Sequence, residues 1–242
     1  MTDHFNSLGQ PIGAPLAMEF PRPRPPRTAM QGRYCSVSPT DIAAHSKALF
    51  EAFSADKSGG NWTYLSYGPY ADHAEFEDWM KTTCAGQDPL FHTILDPNGR
   101  PLGLAAYLRI EPAMGVIEVG HIHLSNALKR TAAATEAMYL MMARAFDELG
   151  YRRYEWKCDA LNAPSRSAAA RLGFSYESCF RQATHYKGRN RDTAWFSVID
   201  PEWPALREMY QRWLSPTNFS ADGRQIASLQ SMRRSSTDAY GS

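Results

Sequence analysis

The spacing of apolar residues along this chain switches repeatedly between a strand period and a helix period, and the switches mark out an alternation of the two. Arg33–Val37 reads as a short strand, and Pro39-Thr40-Asp41 opens a helix running to Phe50 or Phe53. Turn-forming residues follow in Ser58-Gly59-Gly60-Asn61 and Tyr67-Gly68-Pro69-Tyr70, before a second helix from about Ala71 to Lys81. Phe91–Leu95 is short and apolar, and Asp96-Pro97-Asn98-Gly99 is a strong turn. Leu102–Ile110 and Val116–Leu124 then read as an antiparallel hairpin around Glu111–Gly115. The best helix carries Ala134, Met138, Met141, Met142, Ala145 and Leu149 at helical spacing and stops at Gly150. After the strand Tyr154–Cys158, Asn162 caps a short helix with Pro164 in its first turn and Gly173 just past its end. Tyr176–His185 and Thr193–Ile199 return to strand spacing. Between them, Lys187-Gly188-Arg189-Asn190-Arg191 is a basic turn that reads either as a solvated hairpin tip or as the rim of a pocket. A last helix from near Pro204 buries Leu206, Met209, Tyr210 and Trp213.

The flanks differ from this core. Residues 1–31 form an arm whose Phe20-Pro21-Arg22-Pro23-Arg24-Pro25-Pro26-Arg27 run excludes helix and favours an extended polyproline-like path, either docking a partner or strapping the surface. Residues 32–214 form the domain, and 215–242 read as a polar, disordered tail. Neither an internal repeat nor a G-x-G-x-x-G dinucleotide loop is present.

Composition narrows the function classes. A net charge of +1 gives no overall field toward nucleic acid or an anionic membrane, and neither partner is expected. No apolar run approaches the roughly 18–20 residues that a span requires, and the N-terminus lacks a secretory h-region. Cys35, Cys84, Cys158 and Cys179 are far apart, so reduced thiols in a cytoplasmic protein are expected rather than a disulfide framework or zinc knuckle. His121 and His123 have the spacing of two ligands on one strand face, but no Cys, His or Asp set nearby completes a site, so no metal is expected.

Chemistry concentrates between Val116 and Phe174. The turn Ser125–Thr131 is basic and leads into three alanines at a helix start, where free amides and the helix dipole favour an anion such as a diphosphate. Thr131 is also simply a good N-cap. Strand alternation puts Glu118 and Gly120 on one face and His121 and His123 on the other. A mid-strand carboxylate is costly unless solvated or paired, so Glu118 is either functional or half of an ion pair.

Three segments resemble the GNAT acyltransferase superfamily, most closely its ribosomal-protein-alanine acetyltransferase-like branch. They are Ile117–His121, Leu128–Ala137, and Asn162-Ala163-Pro164-Ser165 leading to Leu172-Gly173-Phe174, and the likeness extends over about residues 32–200. It implies a mixed α/β (α+β) fold with a central sheet of about six or seven strands, helices on both faces and two central strands that splay apart. The family loop Q/R-x-x-G-x-G/A falls on Lys129, Arg130, Thr131, Ala132, Ala133 and Ala134, with lysine at the first position and alanine where glycine is usual.

The implied activity is transfer of an acetyl group from acetyl-CoA to a primary amine of a protein N-terminus or a small molecule. A non-catalytic module that binds acyl-CoA or a partner is the alternative. The implied cofactor contacts are Ile122, His123 and Leu124 on the splayed strand, Lys129 to Thr135 for the diphosphate, and Asn162 for the pantetheine. Many relatives protonate the departing thiolate with a tyrosine at the position held here by Ala169, whereas the branch resembled uses the serine that is Ser165. Glu118 would accept the amine proton. Tyr64, Tyr67 and His121 would border the acceptor, with Trp62 and Tyr70 in the same aromatic loop. The oligomeric state is open at this stage.

Overall fold

The computed structural model describes residues 4–233. A small ladder of β1 (His4–Phe5) and β2 (Pro11–Ile12) forms a sheet of its own. The main sheet has eight strands, where the resemblance led to six or seven. In chain order they are β3 (Met30–Gln31), β4 (Ser36–Pro39), β5 (Leu90–Leu95), β6 (Pro101–Glu111), β7 (Val116–Leu124), β8 (Arg153–Asp159), β9 (Ser175–Tyr186) and β10 (Arg189–Ile199). Their spatial order is β3-β4-β5-β6-β7-β8-β10-β9. Only β7 and β8 run parallel; every other pair is antiparallel.

Helices cover both faces, as expected. On one side α1 (Ile42–Ser54) and α2 (His73–Thr83) bury Leu49, Phe53, Phe76 and Met80 against Phe91, Leu104 and Ala106. Asp41 and Asp72 begin these helices by accepting from the amides of Ala44 and Glu75. On the other side α3 (Ala132–Ala143), α4 (Ala163–Arg171) and α5 (Trp203–Trp213) enclose a core of Tyr107, Ile117, Met141, Tyr154, Phe174 and Tyr210. The expected single helix to Leu149 ends instead in a wide turn, Arg144–Glu148, where Leu149 N bonds Arg144 O at 3.0 Å.

Two features set up the cleft. Pairing of β7 with β8 stops at Val119↔Trp156; beyond that point β7 stays with β6 and β8 stays with β10. The bend that parts them is a bulge. Leu104 pairs His123 and Ala106 pairs Gly120, so His121 and Ile122 together oppose Ala105, and His121 takes φ 50°. The same bulge overturns the expected alternation. Glu118, Gly120 and His121 border one cavity, and His123 stacks on Phe53 on that same side, because the extra residue resets the two-residue period.

The flanking segments are packed where described. Arg22 donates to Leu149 O at 3.1 Å, Arg27 to Gly86 O at 2.6 Å, and buried Arg144 reaches out to Thr28 O at 2.7 Å, so the Pro/Arg run lies as a strap. Residues expected as a disordered tail fold back as far as Arg233: Phe219 packs on Tyr34 and Trp213, and Leu229 is buried. Residues 234–242 of that tail lie outside the described residues.

Candidate acyl-transfer site

A cavity of about 280 Å³ opens where β7 and β8 part, and it brings together both halves of the expected chemistry. Its lining includes Glu118, His121, Ile122, Asn162, Ser165, Tyr64 and Tyr67.

Ser165 is held from two directions. The Asn162 side chain caps α4 by accepting from Ser165 N at 3.1 Å, so Asn162, not the serine, is the N-cap. The indole Nε1 of Trp156 then donates to Ser165 Oγ at 3.0 Å. An indole N–H can only donate, so one serine lone pair is taken and the hydroxyl is left as a donor, with the Cys158 thiol beside it. Ala169, by contrast, is fully buried in the core.

Glu118 lies in a run of alternating charges crossing the sheet. Arg109 Nη1 bonds both carboxylate oxygens at 2.7 Å, and Lys157 Nζ approaches at 2.9 Å. Lys157 also pairs with Glu155 at 2.8 Å and sits 3.8 Å over the Trp195 ring; Arg153 continues the run to Glu177. Glu118 is 3% exposed, so this pairing is what makes its burial tolerable.

The bulge aims His121 into the cavity. Tyr67 Oη meets its Nδ1 at 3.1 Å and the two rings stack. Burial, aided by the nearby Arg109 charge, pushes the imidazole down to about 4, so at neutral pH it is uncharged. Burial holds the Tyr67 hydroxyl well above its usual range. His123 has a different fate. Its ring is buried between Phe53, at 3.8 Å, and Trp62, with neither nitrogen partnered. His123 does not border the cavity.

At the head of α3, Thr131 accepts from Ala134 N at 3.1 Å. The amides of Ala132 and Ala133 precede the first intrahelical bond, and the alanine side chains add little bulk. Arg130 is exposed and takes φ 63°. Lys129 donates to Asn61, while burial and Asp56 act in opposite senses on it and the net effect lowers its proton affinity. Ala134 and Thr135 are buried, and Thr135 Oγ1 accepts from Arg171 at 3.2 Å. Leu124 packs into the core. The residues present thus suit a pantetheine diphosphate: free strand edges over Gly120–Leu124 and Lys157–Asp159, then open amides at Ala132 and Ala133. Among the described residues no group of three or more His, Cys, Asp or Glu could hold a metal, and no helix is long and apolar enough to cross a membrane.

A roof overhangs the cavity. Tyr64 Oη donates to Leu161 O at 3.1 Å, Lys187 Nζ to Trp62 O at 2.8 Å, and Arg189 Nη2 to Thr63 O at 2.7 Å. Tyr70 packs edge-on to Trp62. The basic turn is shorter than expected: Lys187 and Gly188, both at positive φ, make a two-residue hairpin turn, and Arg189–Arg191 already belong to β10. Sequence reasoning missed Trp156, Lys157 and Arg109, and named Tyr64, Lys187 and Arg189 without the contacts by which they hold the roof. A mid-strand lysine between Trp156 and Cys158 was a usable signal for a charge facing Glu118.

The family model for an acetyltransferase (GNAT) domain matches residues 39–175. A GCN5-related N-acetyltransferase from Brucella melitensis is 47% identical, covering 90% of this chain and 100% of its own, with a TM-score of 0.88. A probable acetyltransferase of the GNAT family from Chromobacterium violaceum is 41% identical over 81% of this chain and 98% of its own, with a TM-score of 0.75. Among curated proteins, the uncharacterized N-acetyltransferase p20 of Bacillus licheniformis is 25% identical over 58% of this chain and 80% of its own length. Splayed parallel strands, an open helix start behind them and the matched family model together carry one conclusion: this chain belongs to the GNAT acetyltransferase family.

Proposed function

We propose that the protein is an acyl-CoA-dependent N-acetyltransferase acting on a primary amine of a small molecule or a protein N-terminus by direct attack. The observation that carries this reading is the Ser165 hydroxyl, oriented by Trp156 in one cavity with Glu118 and His121. Acetyl-CoA, when bound, supplies the acetyl thioester. Gly120–Leu124, paired only to β6, and Lys157–Asp159, paired only to β10, offer their facing strand edges to the pantetheine, with Asn162 beside it, and Lys129–Ala133 receive the diphosphate. Ser165 donates its hydroxyl proton to the departing sulfur. Uncharged His121 and the Glu118 carboxylate face the acceptor side, where the amine must shed a proton. Because Arg109 and Lys157 occupy both Glu118 oxygens, Glu118 acts through a bridging water, or orients the amine beside His121. Tyr64 and Tyr67 border the incoming amine. Four free thiols, three of them buried, suit a reducing cytoplasm.

The branch that acts on ribosomal-protein N-termini is supported here by the Asn162…Ser165 element alone, so small-molecule amines stand equally as acceptors. The test is thiol release from acetyl-CoA with a panel of amines and peptides. Release that depends on an amine and falls in Ser165→Ala supports catalysis; coenzyme A binding without release for any acceptor leaves a binding module instead.

A further inference from the structure

Resting on that reading, we propose that the acceptor amine carries an anionic oxygen group, a carboxylate or phosphate, received by the guanidinium of Arg191.

Three basic residues lie within five positions of the β9–β10 hairpin, and the structure separates their roles. Lys187 and Arg189 are spent on carbonyls of Trp62 and Thr63, which clamps the hairpin to the roof. Arg191 points to the cavity and is left over. Among the described residues it has no hydrogen-bond partner and no carboxylate within ion-pair distance, and its Nε is shielded from solvent without a partner. A buried guanidinium N–H with no acceptor carries the full cost of its desolvation, so this corner is complete only once an acceptor oxygen arrives.

The surrounding charges point the same way. Arg109, Lys157 and Arg191 line the cavity against two carboxylates, Glu118 and Asp159, and burial keeps His121 uncharged. Both carboxylates are committed. Glu118 is bound by Arg109 and Lys157, while Asp159 accepts from Tyr186 Oη at 2.7 Å and from Leu161 N at 2.8 Å. The lining thus carries three cations against two carboxylates, and of the three cations Arg191 is the one with no carboxylate within ion-pair distance among the described residues. Thr184, its partner in the β9–β10 register, also lines the cavity. The diphosphate loop is elsewhere: none of Lys129–Ala133 borders this cavity, whereas Ser165 and Cys158 do. That places Arg191 at the acyl end, where an acceptor enters, with planar geometry matched to carboxylate or phosphate.

The test uses the full chain, wild type and Arg191→Gln. Thiol release from acetyl-CoA is compared for amines differing in one group: aspartyl and glutamyl peptides against their asparaginyl and glutaminyl counterparts, and aminoalkyl phosphonates against the amino alcohols. Wild type is expected to favour the acidic member by about tenfold or more in kcat/KM, as befits a charge-assisted bond. In Arg191→Gln that preference disappears through KM of the acceptor, with KM for acetyl-CoA as internal control, and Arg191→Lys recovers part of it. Equal rates for acidic and neutral members, or a loss confined to acetyl-CoA, overturns the proposal. If no amine is turned over, the acyltransferase reading fails separately. Calorimetry with N-acetylglutamate and propylphosphonate then decides this one: binding to wild type and not to Arg191→Gln sustains it, and no binding to wild type refutes it.

Discussion

The two sides of the cleft are built in opposite ways. The donor side comes from one continuous stretch, β7 through α4, whose parts are neighbours in sequence: the bulge at His121, the helix start at Ala132, the Asn162 cap and Ser165 three residues after it. The acceptor side sets two residues of that stretch, Glu118 and His121, against segments far away in the chain. Tyr67 meets His121 across 54 positions, and Lys187 reaches Trp62 across 125. Local rules of capping and dipoles therefore govern the first side, and tertiary packing governs the second. A substitution on the donor side should act on one step, whereas on the acceptor side it should disturb several groups at once.

The sharpest way to break this contrast is Ser165→Ala. Removing a positioned acid should lower kcat about 10²-fold with KM for acetyl-CoA little changed. Trp156→Phe, which leaves the hydroxyl in place but unoriented, should show a smaller loss in the same parameter. Wild-type turnover in Ser165→Ala, with saturating acetyl-CoA, removes the proposed proton donor.

Glu118 tests the acceptor side. Glu118→Leu alone leaves Lys157 buried with half its pairing, and breaking a buried pair in this way costs about 3 kcal/mol, read as a lower denaturant midpoint. Adding Lys157→Met should restore most of that stability. If turnover returns as well, Glu118 serves only the charge run across the sheet. If stability returns and activity stays low, the carboxylate has a part in the chemistry.

Ala133→Glu addresses the diphosphate site and separates folding from binding. A carboxylate in the first turn suits the helix dipole and offsets part of the cost of placing it where Ala133 packs half-buried against the core, and the denaturant midpoint reads what remains. The same charge repels phosphate and should raise KM for acetyl-CoA about tenfold while leaving acceptor KM unchanged. An unaltered KM places the diphosphate elsewhere.

How far the sequence revealed these two sides follows from how each is made. The caps Asp41, Thr131 and Asn162 and the hairpin β6–β7 were legible because a few adjacent residues determine them. The faces of β7 were not. Nothing in Ile117–Leu124 signals that a bulge would reset the alternation and bring Glu118 to the side of His121 and His123. The ends of β9 and β10 were hidden for another reason: polar Arg189–Asp192 read as loop by composition, yet a two-residue turn and cross-strand bonds draw them into the ladder. Leu229 was unreadable because its burial depends on where α5 ends and not on its polar neighbours.

The smallest effect expected at neutral pH lies where the two sides meet, at His123. Burial pushes its imidazole down to about 3, with the Lys129 charge acting in the same direction and Asp56 opposing. An unfolded histidine takes up a proton below about 6.5, whereas the folded one stays neutral until about pH 3. The unfolded state therefore binds more protons in that interval, so this contribution to stability is whole above pH 6.5 and is lost as pH falls toward 3. His92 and His121, each pushed down to about 4, add to the fall over the upper part of the window. His123→Phe keeps the stacked shape against Phe53 and removes two unpartnered nitrogens, so at pH 7 stability should change by no more than about 1 kcal/mol. Between pH 6.5 and 4 the variant should lose stability more slowly than wild type, by up to about 1.4 kcal/mol per pH unit in denaturant titrations. Parallel pH curves for the two proteins would mean that water reaches the ring, and that roof and strand are less tightly joined there than the packing of Trp62 and Phe53 implies.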